Sequence, residues 1–351
     1  MALKIFITGA TGYIGGDTLH DLHSQHPEHQ YTALIRTKDK AAIVEKAYPE
    51  VKVVIGDLDN SELLEQQAAE ADVVIHTADA SDHAGAAKAI AAGLVKGHSK
   101  DSGRIGYWLH TGGTGILTYE DDEKGRLGEH SDKEYNDWSG VKELTNLPAT
   151  AFHRNVDEIV LSTGEKHGDN VKVALVCPPT IYGRGRGPVA TRGRQAYELT
   201  KLILTAQYIP VVGEGKARWN NVHVSDLARL FTLLVEAAAE PEKRSTDAGE
   251  VWGGNVYYFA ENGEHVWTEL AERIGDACTR LEYTGKLEKR ALGKDEALEQ
   301  AGFEAVSWGW NSRGKAERAR KVLGWSPSGS SIEDEVPNMV REEHERLKEK
   351  S

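Results

Sequence analysis

The sequence predicts an α/β fold in which a doubly wound parallel sheet is followed by a smaller, mixed C-terminal lobe. Three observations carry this prediction. A glycine-rich segment follows a short apolar run at the start of the chain, further apolar runs then alternate with helical stretches, and the alternation loosens beyond about residue 183. Such alternation is typical of a Rossmann domain. We expect this domain over residues 1–183 with about 222–260, and a second lobe over residues 184–221 with about 261–351.

The first element is a strand from Leu3 to Ile7, and the segment TGATGYIGG follows it directly. Its three spaced glycines suit a tight turn, close approach of the backbone to a pyrophosphate, and close packing of helix on strand. The N-terminus of the next helix offers free N–H groups to phosphate oxygens. A glycine-rich turn of an ordinary βα unit is the alternative. The residues expected to contact a dinucleotide here are Gly9, Thr11, Gly12, Tyr13, Ile14 and Gly15.

The remaining strands of the predicted sheet are short apolar runs, which suit parallel strands buried on both faces. They extend from Tyr31 to Ile35, Val51 to Ile55, Val73 to His76, Tyr107 to His110 and Val171 to Val176. A covering helix from Val156 through Ser162 places Val156, Ile159 and Val160 on one face. After a Gly/Arg loop, another helix is expected from Val224 to Ala239.

Composition and charge exclude several function classes. The chain has 351 residues and a formal charge of −13, which argues against nucleic acid and anionic membranes as partners. No apolar run is long enough to span a membrane, and the first strand begins too early for a secretory leader, so a cytoplasmic location is expected. Cys177 and Cys278 show neither a metal-binding spacing nor a disulfide framework, and we expect core thiols and no metal site.

The end of the second strand bears on the choice of nicotinamide cofactor. A carboxylate there binds a ribose 2′-hydroxyl, whereas an arginine suits a 2′-phosphate. The sequence ALIRTKDK places Arg36 at this point, and a guanidinium can bind phosphate through two hydrogen bonds. NADP(H) is therefore favoured. NAD(H) is the alternative cofactor, because the nearby carboxylate of Asp39 could bind a ribose 2′-hydroxyl. The alternative for Arg36 is a solvated loop charge without a role in binding.

A second candidate contact with the cofactor follows the third strand, in IGDLD. Asp57, beside Leu58, stands where a carboxylate can accept a hydrogen bond from an adenine amino group. Capping of the next helix is the alternative for Asp57.

Six segments resemble one known superfamily in their order along the chain. They are TGATGYIG, GDLD, DVVIHTAD, PPTIYG from Pro178 to Gly183, NVHVSDLA from Asn221 to Ala228, and ARKVLGWSP from Ala319 to Pro327. Together they resemble the extended short-chain dehydrogenase/reductase superfamily, and within it the NAD-dependent epimerase/dehydratase and NmrA-like branches. The resemblance implies that Thr77 and Ala78 flank the cofactor and that Pro178 and Pro179 line the nicotinamide pocket. It also implies that residues 184–222 face the substrate.

The chain departs from this family at the catalytic positions. Members usually carry a serine or threonine near the end of strand five, and a tyrosine and lysine spaced YxxxK at the start of the next helix; the tyrosine donates a proton to the substrate. Here the serine position is Gly113, flanked by Thr111 and Thr114, and Thr114 is the nearest substitute.

The YxxxK motif is also missing. Alignment on Asp157 places His153 at the lysine position and Ala149 at the tyrosine position. His153 and Asp157 are one helical turn apart, so we expect the carboxylate beside the imidazole. Such a pair could hold the nicotinamide ribose or shuttle a proton. A histidine that only begins a helix is the alternative.

Other side chains could complete or wall the site. Tyr135, in EYNDWSG, and Tyr182, in PPTIYG, are candidates to replace the missing phenol, although Tyr182 commonly packs within its motif. Trp138 and Trp219 are either walls of an apolar pocket or core residues.

The stretch GRGRGPVATRGR begins the lobe and carries four arginines. We expect their guanidinium groups to be free to converge on a substrate carboxylate or phosphate, with a solvent-exposed hinge as the alternative. His223 resembles a family position that stabilises the junction of the lobes, and Asp226 is expected to cap the following helix. The four arginines are Arg184, Arg186, Arg192 and Arg194.

Three functions fit this sequence. The first is an NADPH-dependent oxidoreductase that reduces a carbonyl, imine or activated alkene of a small organic molecule, with a degenerate Ser-Tyr-Lys triad. The second is a nonredox isomerase or cyclase that uses His153, Tyr135 or Thr114 for acid–base work. The third is an NmrA-like NADP(H) sensor without catalysis. The long lobe favours an enzyme, and Arg36 with the glycine motif favours redox chemistry. A homo-oligomer remains open.

Overall fold

The computed structural model describes residues 2–99, 103–240 and 248–349. Its main sheet has seven strands, all parallel, and the predicted α/β class with a doubly wound sheet is confirmed. In order across the sheet, the strands are β3 (Lys52–Ile55), β2 (Gln30–Ile35), β1 (Lys4–Thr8), β4 (Val73–His76), β5 (Gly106–Thr111), β7 (Val171–Cys177) and β11 (Tyr257–Phe259). The six predicted strands lie within one residue of their expected bounds, and only the three-residue β11 was not expected.

Helices cover both faces of this sheet, because its central strands are apolar on both sides. One face carries α1 (Tyr13–Gln25), α2 (Lys38–Ala47) and α9 (Val224–Ala239), and the other carries α3 (Ser61–Glu70), α4 (Ala84–Gly97) and α7 (Arg154–His167). The bounds of α9 are those predicted. Helix α7 is longer than expected, and it buries Val156 and Val160 with Ile159 half-buried beside them, as the periodicity predicted.

A separate apolar cluster lies in the C-terminal half of the chain. Its helices are α8 (Gln195–Ala206), α11 (Trp267–Arg280), α12 (Lys294–Ser307) and α13 (Ile332–Glu349). Three small sheets accompany it: β8 (Thr180–Tyr182), β10 (Arg218–His223) and β12 (Glu264–Val266); β9 (Ile209–Val212) with β13 (Lys289–Leu292); and β6 (Tyr135–Asn136) with β14 (Gly314–Lys315). The short helices are α5 (Tyr119–Glu123), α6 (Val141–Thr145) and α10 (Ala248–Val251), with a 3₁₀ turn at Thr114–Thr118 and a π-helical turn at Ala319–Leu323.

The strand order reverses between β1 and β4, because β2 and β3 lie on one side of β1 while β4, β5, β7 and β11 lie on the other. In open α/β sheets, ligands bind outside the carboxyl ends of the strands at such a reversal. The loops that follow β1, β4 and β5 are therefore the part of the molecule where a site is expected.

Both cysteines, Cys177 and Cys278, are buried and unpaired, as the sequence predicted. A search of the described helices finds none with the length and apolarity that crossing a bilayer requires.

Candidate active site

The glycine turn after β1 packs against the residues that follow β4. Gly9 has a φ of 80°, which favours glycine, and a Cβ at Gly9 or Gly15 would collide with Oγ1 of Thr77. That hydroxyl donates to the carbonyl oxygen of Thr8 at 2.8 Å, and the Ala78 N–H donates to Thr8 Oγ1 at 3.3 Å. The turn therefore lies beside Thr77 and Ala78, and contact of these two residues with a cofactor stays a prediction.

The N-terminus of α1 is open to a ligand. No described side chain caps this helix, and a Cβ at Gly12 would meet only the carbonyl group of Gly9, at 3.1 Å. Free N–H groups with open space before them suit phosphate oxygens, so this turn fits a dinucleotide. Thr11 is half-buried in the turn, Ile14 packs against the core, and the Tyr13 hydroxyl donates to the carbonyl oxygen of Gly183 at 2.5 Å.

The end of β2 presents an unpaired cation. Arg36 is exposed, and no described residue forms a hydrogen bond or an ion pair with its guanidinium. Asp39, also exposed, follows in the first turn of α2, whose N-terminus is capped by Thr37 through a 3.4 Å hydrogen bond to the Lys40 N–H. The guanidinium of Arg36 therefore retains all its donors for a ligand.

The carboxylate of Asp57 shapes the turn before α3. Its Oδ1 accepts from the N–H groups of Asp59 at 3.0 Å and Asn60 at 3.2 Å, and Asn60, not Asp57, occupies the N-cap position. Leu58 is half-buried against the cluster of α3, α4 and α7. Contact between Asp57 and an adenine stays a prediction.

The centre of the candidate site is His153, immediately before α7. Its backbone is left-handed, with a φ of 68°, a conformation that is uncommon for non-glycine residues and recurs at functional sites. Its Nδ1 lies 2.7 Å from Oδ1 of Asp82, in the loop after β4. Its Nε2 faces the end of β5, because a Cβ at Gly113 would lie 3.4 Å from it and a Cβ at Gly115 would lie 3.3 Å from it. The glycine at the family's serine position thus adjoins the imidazole.

Asp82 was missed in the sequence, although its place after β4 was a usable signal, since loops at the carboxyl ends of neighbouring parallel strands meet at one edge. Burial raises the pKa of Asp82, but the hydrogen bond and charge of His153, the hydrogen bond of Ser81 and the charge of Arg194 outweigh it and leave the pKa below its usual value. Asp82 is therefore an ionised acceptor for the Nδ1–H of His153.

The expected pair of His153 with Asp157 does not form. Asp157 is fully buried, and its Oδ2 accepts from the Tyr257 hydroxyl at 2.9 Å, so the partner comes from β11. Burial raises the pKa of Asp157 to about 7. Helical spacing allowed the predicted contact, but the His153 ring leaves the helix toward Asp82 instead.

The hydroxyl candidates lie in the interior. Thr114 is buried, its N–H donates to the carbonyl oxygen of Pro178 at 3.1 Å, and the hydroxyls of Thr111 and Thr114 have no partner in the part of the chain that the structure describes. Pro178 and Pro179 are also buried. The hydrogen bond from the Thr114 N–H places Pro178 beside the end of β5. A role for Thr114 in holding a substrate oxygen stays a prediction.

The two tyrosine candidates are placed for packing. Tyr135 belongs to β6, not to a polar loop, and is 3% exposed, with the Lys133 ammonium 4.6 Å from its ring centroid. Tyr182 is fully buried, and its hydroxyl donates to the carbonyl oxygen of Ser330 at 2.8 Å. Burial raises the pKa of both phenols. These surroundings argue against either tyrosine as the proton donor.

The arginines of the Gly/Arg loop do not converge. Each pairs with a different carboxylate, and the first three attach the loop to α1 and α13, so the loop is not a free hinge and the binding of an anion would require exchange of these ion pairs. The pairs are Arg184 with Glu342 (3.0 Å), Arg186 with Asp17 (2.5 Å), Arg192 with Glu343 (2.7 Å) and Arg194 with Glu304 (2.7 Å).

Both tryptophans and the residues at the lobe junction have structural roles here. Trp219 is buried and donates through Nε1 to the carbonyl oxygen of Trp310 at 2.7 Å, while half-buried Trp138 lies 5.0 Å from the guanidinium of Arg318. His223 caps α9 by accepting from the Ser225 N–H at 3.2 Å.

The expectation that Asp226 caps α9 is wrong. Its carboxylate accepts from the N–H groups of Ser328 at 2.9 Å and Gly329 at 3.0 Å, and so fixes the segment that leads into α13.

Comparisons with known proteins agree on one family. Residues 9–100 match the NAD(P)H-binding family, and residues 150–249 match the NAD dependent epimerase/dehydratase family. The chain is 39% identical to oxidase ucsJ of an Acremonium species over 99% of both chains, and 24% identical to a dTDP-glucose 4,6-dehydratase of Streptomyces niveus over 79% of this chain and 78% of that protein. The structure resembles DesIV, a dTDP-glucose 4,6-dehydratase of Streptomyces venezuelae crystallised with NAD, with a TM-score of 0.68, 16% identity and 98% of both chains covered.

Proposed function

Because this chain belongs to the NAD-dependent epimerase/dehydratase family of extended short-chain dehydrogenases/reductases, we propose that it is an NADPH-dependent oxidoreductase. Its substrate is a small organic molecule with a carbonyl, imine or activated alkene. The observation that carries the proposal is the Asp82–His153 pair, which supplies a proton donor where the tyrosine and lysine of the family are missing. The 39% identity to a protein named as an oxidase supports redox chemistry.

The carboxyl edge of the main sheet would hold the cofactor. The N–H groups at the start of α1, beside Gly12, would hold its phosphates, and Arg36 would hold a 2′-phosphate. When bound, the nicotinamide supplies a hydride to the reacting carbon of the substrate and is itself oxidised. Thr77, Ala78 and Pro178 would flank the nicotinamide, since they surround the ends of β4 and β5.

The proton comes from His153. In its charged form the imidazole donates from Nε2 to the substrate oxygen, or to the nitrogen or carbon that replaces it, as the carbon takes up the hydride. Asp82 accepts the Nδ1–H, which fixes the ring and stabilises its positive charge. Solvent then returns the proton to Nε2.

The separate apolar cluster that includes α8, α11, α12 and α13 forms the substrate lobe in this proposal. Residues Val322, Leu323 and Trp325 instead pack with the main-sheet cluster, so this part of the C-terminal segment returns to the Rossmann domain. The lobe therefore includes residues 184–221 and most, but not all, of 261–351.

The test combines cofactor binding with turnover. We expect calorimetry to show NADPH binding more tightly than NADH, and some member of a panel of aldehydes, ketones and imines to oxidise the NADPH. His153→Ala should lower kcat by roughly 100- to 10,000-fold with the Kd for NADPH unchanged. The matched control is His130→Ala, since His130 also pairs with an aspartate, Asp132, at 2.8 Å but lies on the exposed surface.

Unchanged turnover in His153→Ala would refute the assigned proton donor. If the protein converts a substrate without net oxidation of NADPH, and if His153→Ala abolishes that conversion, the protein is the nonredox isomerase instead. Tight NADPH binding without any turnover would indicate the sensor.

A further inference from the structure

Two exposed phenylalanines meet beside the candidate proton donor. Phe152 is 40% exposed and Phe303, on α12 of the lobe, is 44% exposed, yet their ring centroids are only 5.0 Å apart. Six large apolar side chains are this exposed among the described residues, and these two are the aromatic ones. Single exposed apolar residues need no explanation, but an aromatic pair contributed by two different parts of the chain is a candidate for ligand binding.

This aromatic pair continues into the active site on one side and into the lobe on the other. The Phe152 ring lies 3.7 Å from the His153 ring, centroid to centroid, and Phe303 lies 6.0 Å from Trp310. Phe152 also rests against the end of β5, since a Cβ at Gly115 would lie 3.1 Å from its Cδ1. A group held on the phenylalanines is therefore adjacent to Nε2 of His153.

Charge around the pair argues against a diphosphate ligand. Arg194 is the loop arginine whose charge reaches Asp82, and it already pairs with Glu304, the neighbour of Phe303, at 2.7 Å. The other three arginines of that loop also pair with carboxylates. A nucleoside diphosphate would have to displace a carboxylate from these arginines before they could bind its phosphates, whereas an uncharged aromatic ligand would leave the ion pairs intact.

We infer that the substrate is a flat aromatic or conjugated molecule, not a nucleoside diphosphate sugar, and that its unsaturated face lies on Phe152 and Phe303 with its reacting group at His153. This inference rests on the proposed function for the place of the reacting group. Aromatic faces attract one another in offset or edge-to-face geometry beyond the area that they bury. The two phenylalanines therefore select an unsaturated ring over a saturated ring of the same size.

The test uses two alcohols of equal carbon skeleton, 2-naphthalenemethanol and its fully saturated decahydro analogue, with the corresponding aldehydes as substrates. Calorimetry on the protein saturated with NADP⁺ should show roughly tenfold tighter binding of the aromatic alcohol. Phe303→Leu and Phe152→Leu, which keep apolar volume but remove the aromatic face, should each reduce this preference several-fold. Ile105→Ala is the control, because Ile105 is 42% exposed at the opposite end of β5.

Equal affinity for the two alcohols, no measurable binding of either at millimolar concentration, or an unchanged preference in both leucine variants would overturn the inference. Displacement of the aromatic alcohol by thymidine diphosphate would overturn it as well. A preserved binding preference without oxidation of NADPH by either aldehyde or by any member of the panel would refute the reductase and leave the binding inference standing. Reduction of both aldehydes at equal kcat/KM would support the reductase and overturn the inference that the two phenylalanines select an aromatic substrate.

Discussion

Asp82 Oδ1 lies 2.7 Å from Nδ1 of His153, although the two residues are 71 positions apart in the chain. Asp82 comes from the loop after β4, and His153 comes from the left-handed residue before α7. The side chain of His153 is 9% exposed and that of Asp82 is 47% exposed, so the carboxylate is the more solvated partner. The pair has the arrangement of an oriented acid–base catalyst at the carboxyl edge of the sheet.

Asp82→Asn should lower kcat by about 10- to 100-fold and leave the Kd for NADPH unchanged. An amide at this position can still accept a hydrogen bond, but it no longer carries the charge that stabilises the imidazolium formed during proton transfer. Steady-state kinetics with calorimetry measures both quantities. Asp82→Glu restores a carboxylate and should recover part of kcat. An equal loss in the two variants would indicate that Asp82 only maintains the loop.

Arg36→Ala should weaken NADPH binding by roughly 10- to 100-fold, the value of a hydrogen-bonded contact between charged groups, and leave NADH binding unchanged. The ratio of the two Kd values, measured by fluorescence titration, is the readout. Lys52→Ala is the control, because Lys52 is an exposed cation at the amino end of β3. The NADP(H) assignment would be contradicted by a ratio that stays constant in Arg36→Ala.

The sequence predicted the sheet well because its signals are local. Glycine spacing defines the turn at Gly9, and apolar periodicity defines α9 from Val224 to Ala239. Each of these signals depends only on residues that are close together in the sequence. Strand β11 also lies in a short apolar run, Val256–Ala260, but this run follows residue 183, beyond which the alternation of strands and helices was expected to loosen, so the strand was missed.

The candidate site was predicted only in part because its contacts join distant segments. His153 was identified by alignment, but its partner Asp82 was not, and Asp157 was chosen because helical spacing allowed it. Asp157 is instead buried, and its carboxylate accepts a hydrogen bond from the Tyr257 hydroxyl. The arginine loop failed for the same reason, since the carboxylate that binds Arg186 belongs to α1, 169 residues away.

Arg186→Met should lower the free energy of unfolding by about 3 kcal/mol, because it leaves the fully buried carboxylate of Asp17 without its charged partner. Arg184→Met is the matched control on the same loop. The side chain of Arg184 is 70% exposed and its pair with Glu342 is solvated, so its loss should cost less than about 1 kcal/mol. Urea denaturation measures both, and equal costs would show that the two ion pairs do not differ in strength.

Asp157→Asn should remove a pH dependence of stability. Burial raises the pKa of Asp157 to about 7, above the value near 4 of an unfolded aspartate. The folded state therefore binds this proton more tightly, and the resulting stabilisation is complete below about pH 4 and declines as the pH rises to about 7. The asparagine does not titrate and can still accept a hydrogen bond from the Tyr257 hydroxyl.

Relative to the unaltered protein, the free energy of unfolding of the Asp157→Asn variant should therefore rise by on the order of 3 kcal/mol between pH 5 and pH 8. Urea denaturation at several pH values measures this, with Asp295→Asn, an exposed carboxylate at the start of α12, as the control. A difference that stays flat with pH would show that Asp157 is already ionised in the folded protein at pH 5.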